Sequence, residues 1–243
     1  MSVAIAPPHR VSRKLTISVE TEQINIRPVV KGAIKEASHT LSDAYINNNI
    51  LEKCSNGQEN EFRYSFFKNV IDTATLQSRD FTIQVEGCKG AAIWTNQKNS
   101  SSWPSTTKLA RMIGWSNALK STLQYQPWSE KHKKRIMADY DDYITISYLG
   151  VLPHEQRKGY GSALLRYIIE KADNSQYPIF VEVAESNAIS LFEKHGFVVK
   201  YQKCICNQQD LPVTFMVREP SSTTSDPVPL RLKPGRQDSD STI

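Results

Sequence analysis

One stretch limits this chain more than any other. From Asp142 a β-branched apolar run, "DYITISYLGVL", passes through a loop of small and basic residues, "PHEQRKGYG", into an amphipathic run, "SALLRYIIEKA". The first reads as a buried strand. The last reads as a helix with Leu164, Leu165, Ile168, Ile169 and Ala172 on one face. A strand that enters a helix through glycines is the setting a phosphate site requires. Glycines let the backbone pass close to the ligand, and the first N–H groups of the helix, which have no intrahelical partner, point at it. Arg157 and Lys158 place positive charge beside that helix start. The plain alternative is a tight strand-to-helix turn with a solvated basic pair.

Two familiar phosphate loops do not fit. A P-loop needs Gly-Lys followed by Ser or Thr, which is absent here. A dinucleotide loop needs a third glycine, and position 164 is Leu. Glu182 stands where that loop's acidic partner would be sought, but the basic residues precede the glycines and the strand comes late in the chain.

The remainder bounds the answer. A chain of 243 residues holds one sizeable domain with additions, or two small ones. No apolar run approaches the roughly 18 residues needed to cross a bilayer, so no membrane partner is expected. The net charge of +5 permits an anionic cofactor without arguing for nucleic acid. Cys54, Cys88, Cys204 and Cys206 show neither a CxxC pair nor metal-ligand spacing, so no metal is expected. Free thiols fit a reducing compartment, the cytoplasm or nucleus. Residues 1–22 are polar and aperiodic, residues 219–243 are rich in Ser, Thr, Pro and Asp, and the two read as a disordered arm and tail around a domain at 23–218.

Within that domain the periodicities run β-α-α-β-β-(α-α)-β-α-β-α-β-β, a mixed α/β order. The first strand is "INIRPVV", and one helix is expected over "AIKEASHTLSDAYINNNIL". "NEFRYSFFKNVIDTATL" is a second helix, and "DFTIQVEGCKGAAIWT" a hairpin. A helical insert spans "TKLARMIGWSNALKSTLQY" and "PWSEKHKKRIMADY", with Pro127 in the first turn of its second part. "PIFVEVA", "SNAISLFEKHGF", "VVKYQKCIC" and "VTFMVR" complete the chain as strand, helix, strand and strand.

"LGVLPHEQRKGYGSALL" resembles the acyl-CoA pyrophosphate loop of the GNAT superfamily, Gln/Arg-x-x-Gly-x-Gly/Ala, with Gln156, Gly159 and Gly161 on the pattern. "SNAISLFEKHGFV" is similar to the superfamily's asparagine-bearing helix and its "F-Y-E-K-x-G-F" ending. Some likeness to the puromycin-type branch lies in the "AAIWT" strand end, the helical insert and the run through "KGYGSAL". The resemblance implies a mainly antiparallel twisted sheet with splayed parallel central strands and helices on both faces. It also implies an acetyl-CoA-dependent N-acetyltransferase acting on a primary amine, of a small molecule by preference. The alternatives are a protein lysine or N-terminal acetyltransferase, or a non-catalytic CoA-binding module. The oligomeric state is left open.

Residue by residue, the resemblance implies that backbone groups of Leu149, Gly150 and Val151 meet the acetyl and pantetheine parts. Gln156, Arg157, Lys158, Gly159, Tyr160, Gly161 and Ser162 would hold the pyrophosphate, and Asn187 the pantetheine arm. The local alternative for Ser186-Asn187 is a helix cap. The motif tyrosine, the usual proton donor to the departing thiolate, is Phe192 here; Tyr201 and His195 are the candidates to replace it. His195 also suits a helix C-terminus as His⁺. Thr145 stands where some members carry a glutamate base, which leaves Asp141, Asp142 and Glu182. Glu182 lies in an otherwise apolar strand, where desolvation makes a carboxylate a stronger base; a structural ion pair is the alternative. Tyr45, Phe62, Tyr64, Phe66, Trp94, Trp103, Trp115 and Tyr125 are candidates for the acceptor side, or for core packing.

Overall fold

The computed structural model describes residues 24–54, 59–96, 104, 107–108, 110–111, 126–205 and 212–221. The expected arm at 1–22, the tail beyond 221 and most of the first helix of the insert lie outside the described residues, as do Trp103, Trp115 and Tyr125. Strands β1 (Ile26–Pro28), β2 (Thr82–Val85), β3 (Gly90–Asn96), β4 (Ile144–Val151), β5 (Ile179–Val183), β6 (Val198–Cys204) and β7 (Pro212–Arg218) form one sheet in the order β1-β2-β3-β4-β5-β7-β6. Only β4 and β5 run parallel; the other neighbours are antiparallel. Helices with both ends among the described residues are α1 (Ile34–Ala44), α2 (Asn49–Cys54), α3 (Glu59–Gln77), α4 (Gln126–Ile136), α5 (Tyr160–Ser175) and α6 (Ser186–Lys194).

Alternation along β5 shows why helices are needed on both faces. Ile179, Val181 and Val183 join the main core with Leu164, Leu165 and Ile168 of α5. Phe180 joins a second cluster with Met137, Phe215 and Val217, covered by Trp128 and Ile136 of α4. The aromatic stripe of α3 fills the middle of the main core: Phe66 and Phe67 are fully buried, and both set their rings edge-on to Tyr148 of β4. Truncating either phenylalanine to alanine costs about 3–5 kcal/mol.

The single helix expected over residues 33–51 is two. Helix α1 stops at Ala44, and a new helix begins at Asn49. The Asn48 side-chain oxygen accepts the Leu51 N–H at 3.1 Å, the bond that starts a helix afresh. A run of three asparagines offers the backbone such local partners and so favours a break. The break leaves Tyr45 at the end of α1, against β4. That approach requires Gly150, where an added Cβ would lie 2.6 Å from Ala44 Cβ and 3.1 Å from Leu41 Cδ2.

The last strand enters between β5 and β6, so β7 is interior and buried along all but its first residue, Pro212. Strand β6 is the edge, and its Lys200 is an unpaired bulge residue between Val199 and Tyr201. Arg218 at the end of β7 grips Asp173 of α5 through two bonds of 2.7 and 3.0 Å, and Ser221 donates its N–H to the same carboxylate. Tyr140 bonds Glu219 through its phenol. The first residues of the expected tail are thereby fixed to the body of the domain.

Candidate active site

Strands β4 and β5 pair at only three positions, Ile144–Ile179, Thr145–Phe180 and Ile146–Val181. Beyond them β4 stays with β3 and leaves β5. The cause lies in the β3–β4 ladder. Ile93 faces Tyr148 and Trp94 faces Ile146, so Ser147 is an extra residue, and a bulge of this kind bends its strand. The separation opens a cleft of about 1050 Å³, walled by the second half of β4, the end of β5, the starts of α5 and α6, and residues of α1 and α4.

The loop from Pro153 delivers a helix start to this cleft. Arg157 (φ +65°) and Gly159 (φ +90°) both adopt left-handed backbone, and the chain then turns directly into α5. No side chain caps that helix, and its first internal bond runs from the Ala163 N–H to the Gly159 carbonyl at 2.9 Å. The N–H groups of Tyr160, Gly161 and Ser162 therefore project from the helix end beside the cleft. Gln156, Arg157, Gly159, Tyr160, Gly161 and Ser162 all line it. Lys158 does not; it pairs with Glu155 at 2.8 Å, and that bond holds the Glu155 carboxyl below its usual range. Lys89, from the β2–β3 turn, lies 5.7 Å from the centre of the Tyr160 ring and adds a cation the sequence pattern did not reveal. Nothing in a hairpin turn some seventy residues away marks it as a neighbour of this loop.

Asn187 is exposed on the first turn of α6 and lines the cleft. The capping alternative for Ser186-Asn187 is not what the structure shows: α6 begins after Glu185, which forms no side-chain cap bond. Phe192 is buried with its ring edge-on to Phe197, 5.2 Å between centres.

The opposite wall is built of side chains from four distant segments. Glu182 of β5 accepts a short hydrogen bond, 2.5 Å, from the Ser129 hydroxyl of α4. Lys133, one turn along α4 and only 4% exposed, pairs with Glu130 at 2.5 Å. The hydroxyls of Thr145 and Ser147 are buried and, among the described residues, have no hydrogen-bond partner. Tyr45 reaches in from the end of α1. Its phenol accepts from the Leu149 N–H at 3.3 Å and donates to the Leu149 carbonyl at 3.4 Å. Burial pushes that phenol's pKa up to about 12.

Other expected site residues lie elsewhere. Phe62 and Phe66 are core, Tyr64 stacks on His39 and Trp94 packs against Phe81. Asp141 and Asp142 are not part of the cleft lining. Tyr201 is not either: its register sets it opposite Phe215, two strands from Glu182, with its ring stacked on His132. That placement gives no support to Tyr201 as the proton donor. His195 likewise lies off the cleft. The expected charged form at a helix C-terminus is opposed there, because burial, then Arg166, Lys194 and Arg218, lower its pKa.

Residues 122–197, a span holding the bulged strand, the loop, α5, β5 and α6, match the model of the acetyltransferase (GNAT) family. Over that span the chain is similar to GNAT acetyltransferases. Together with the relative described next, that match supports an acyltransferase. An uncharacterized N-acetyltransferase of Schizosaccharomyces pombe is 25% identical over 218 residues, covering 77% of this chain and 80% of the relative. Among solved structures, a histone acetyltransferase HPA2-related protein of Corynebacterium glutamicum superposes with a TM-score of 0.56 at 16% identity, over 83% of this chain and 98% of its own. A polyamine N-acetyltransferase of Drosophila melanogaster gives 0.55 at 13% identity, over 81% and 99%. Likeness at that identity shows the GNAT fold, with its parallel pair inside a mostly antiparallel sheet.

Proposed function

We propose that this GNAT domain is an acetyl-CoA-dependent N-acetyltransferase whose acceptor is a primary amine of a small molecule. The observation that carries the reading is the convergence on one cleft of the β4–β5 separation and the uncapped start of α5. Backbone groups of Leu149 and Val151 would pair with the acyl and pantetheine parts as a missing strand would. N–H groups from Arg157 to Ser162 would hold the pyrophosphate, assisted by Arg157 and Lys89, and Asn187 would meet the pantetheine arm. Burial of the Thr145 and Ser147 hydroxyls without partners among the described residues suits an acceptor with polar groups of its own.

In the reaction, Glu182, held by Ser129, takes a proton from the incoming ammonium group. The freed amine attacks the thioester carbonyl carbon, the C–N bond forms, the adduct nitrogen gives its second proton to solvent, the C–S bond breaks, and the CoA thiolate leaves to be protonated by solvent. A cleft closed on one side by α4 favours a compact amine over a peptide laid across it. Phe192, in place of the motif tyrosine, favours one second reading, a module that binds acyl-CoA without turnover.

The deciding experiment measures CoA release with acetyl-CoA against a panel of aliphatic, aromatic and polyvalent amines and lysine or N-terminal peptides. Turnover on small amines is expected. Robust turnover on peptides alone would replace the acceptor class, and calorimetric binding of acetyl-CoA without any CoA release would establish the non-catalytic module.

A further inference from the structure

The proposed chemistry leaves the negative charge that develops on the thioester oxygen with a single backbone donor. The structure offers a second. In the β3–β4 ladder Leu149 faces Ala92. Both the N–H and the carbonyl of Leu149 bond the Tyr45 phenol, so both are directed away from β3 into the gap that β5 has vacated. The phenol oxygen thus occupies the gap at the point where an acyl oxygen bonded to the Leu149 N–H would come to lie.

We propose that Tyr45 is a catalytic residue: its hydroxyl, together with the Leu149 N–H, forms a two-donor site for the thioester carbonyl oxygen. This rests on the acetyl-transfer reading above. When the thioester enters, its oxygen takes over the Leu149 N–H, and the Tyr45 O–H turns from the Leu149 carbonyl to that oxygen. As the amine attacks, the carbonyl π electrons move onto the oxygen, and the two donors stabilise the oxyanion. Collapse restores the carbonyl, breaks the C–S bond and releases the thiolate. Tyr45 keeps its proton throughout.

Three features fit a donor that does not itself titrate. The ring is fixed, tilted on Phe67 at 5.1 Å and edge-on to Tyr148 at 6.0 Å. Ring carbon Cε2 lies 3.5 Å from where a Cβ on residue 150 would be, so Gly150 makes room for it. A phenol held at about 12 by burial remains protonated at neutral pH. Such a weak acid does not readily yield its proton to a thiolate, since thiols are the stronger acids (a cysteine thiol has a pKa of about 8.5). That separates this role from the proton donation made by the motif tyrosine that Phe192 replaces.

The test uses the full chain and its Tyr45→Phe variant, which keeps the ring packing. With carbonyl-¹³C acetyl-CoA bound, the infrared carbonyl band of the wild type should lie below its position in water, and part of that displacement should vanish in the variant. With the best amine, kcat should fall about 100-fold, the loss typical of one oxyanion donor, while the affinity for CoA itself and the thermal midpoint stay the same. An unmoved carbonyl band in the folded variant overturns the proposal, whatever happens to turnover. A wild-type band no lower than in water overturns it without the variant. Failure of the wild type to bind acetyl-CoA at all would instead remove the acyl-CoA reading on which the proposal stands.

Discussion

The two walls of the cleft are made of different material. On the α5 side the groups on offer are backbone N–H, and the sequence need only supply residues that allow their shape: Gly159 at φ +90°, Arg157 at φ +65° and a helix start that no side chain caps. On the α4 side the groups are side chains drawn from positions as far apart as Tyr45, Ser129, Thr145 and Glu182. A wall of backbone has a fixed local spacing and is shared across a family. A wall of side chains is assembled only by the fold and can differ from one member to the next. The contrast explains why an acyl-CoA donor can be proposed from the sequence more readily than an acceptor.

Substitutions that separate the walls test that contrast, and the largest effect is expected on the side-chain wall. Glu182→Gln should lower kcat by about 10²–10⁴-fold with acetyl-CoA affinity by calorimetry unchanged; equal turnover would remove Glu182 from the reaction. Gly150→Val stands between the walls. Its Cβ would meet Ala44 at 2.6 Å, so α1 must move and stability should drop by about 1–3 kcal/mol in denaturant titration, with Tyr45 displaced. A variant as stable as the wild type would mean that α1 is not wedged against β4. On the backbone wall, Gly159→Ala forces a Cβ onto left-handed backbone at a cost of about 1 kcal/mol. It should weaken acetyl-CoA binding and leave the acceptor KM unaltered; the reverse pattern would reassign the loop.

The smallest effect lies outside the cleft. Burial alone would raise the Asp173 carboxyl pKa, but the bonds from Arg218 and Ser221 outweigh it and hold the pKa below the usual value. The pair should therefore contribute stability above the ordinary carboxylate pKa, about 3.9, and lose it as pH falls through the lower folded value. For Asp173→Asn, stability should drop by about 1 kcal/mol or less at pH 7, and the difference from wild type should close in acid. A difference independent of pH would assign the effect to packing.

Much of this fold was legible because its period and punctuation agree. The strand–loop–helix from Ile144 to Ser175 and the helix closed by Gly196 at φ +85° lie where the pattern placed them. The break at Tyr45 was missed, since apolar spacing runs through it and only the asparagines oppose it. Strand order was equally hidden: nothing local in "VTFMVR" says that it enters between β5 and β6 rather than beside β6. Tyr201 was a candidate to replace the motif tyrosine that is Phe192 here. Its register, not its chemistry, puts it two strands away from Glu182. The bulge at Ser147 is the deepest case, because an unpaired residue is a property of two strands and is written in neither.

That bulge has a mechanical consequence. With three residue pairs as the ladder between β4 and β5 among the described residues, the sheet is two half-sheets, β1–β4 and β5–β7, joined along a short seam. A ligand bonded to the open edge of β4 and to the starts of α5 and α6 would bridge the seam. Occupancy would then register far from the chemistry: a ligand at 100 times its Kd adds about 2.7 kcal/mol to the folded state. Amide hydrogens along the open half of β4 would exchange quickly in the free protein and slowly once the bridge is in place. In this sheet the acyl donor would serve as a removable structural member as well as a reactant.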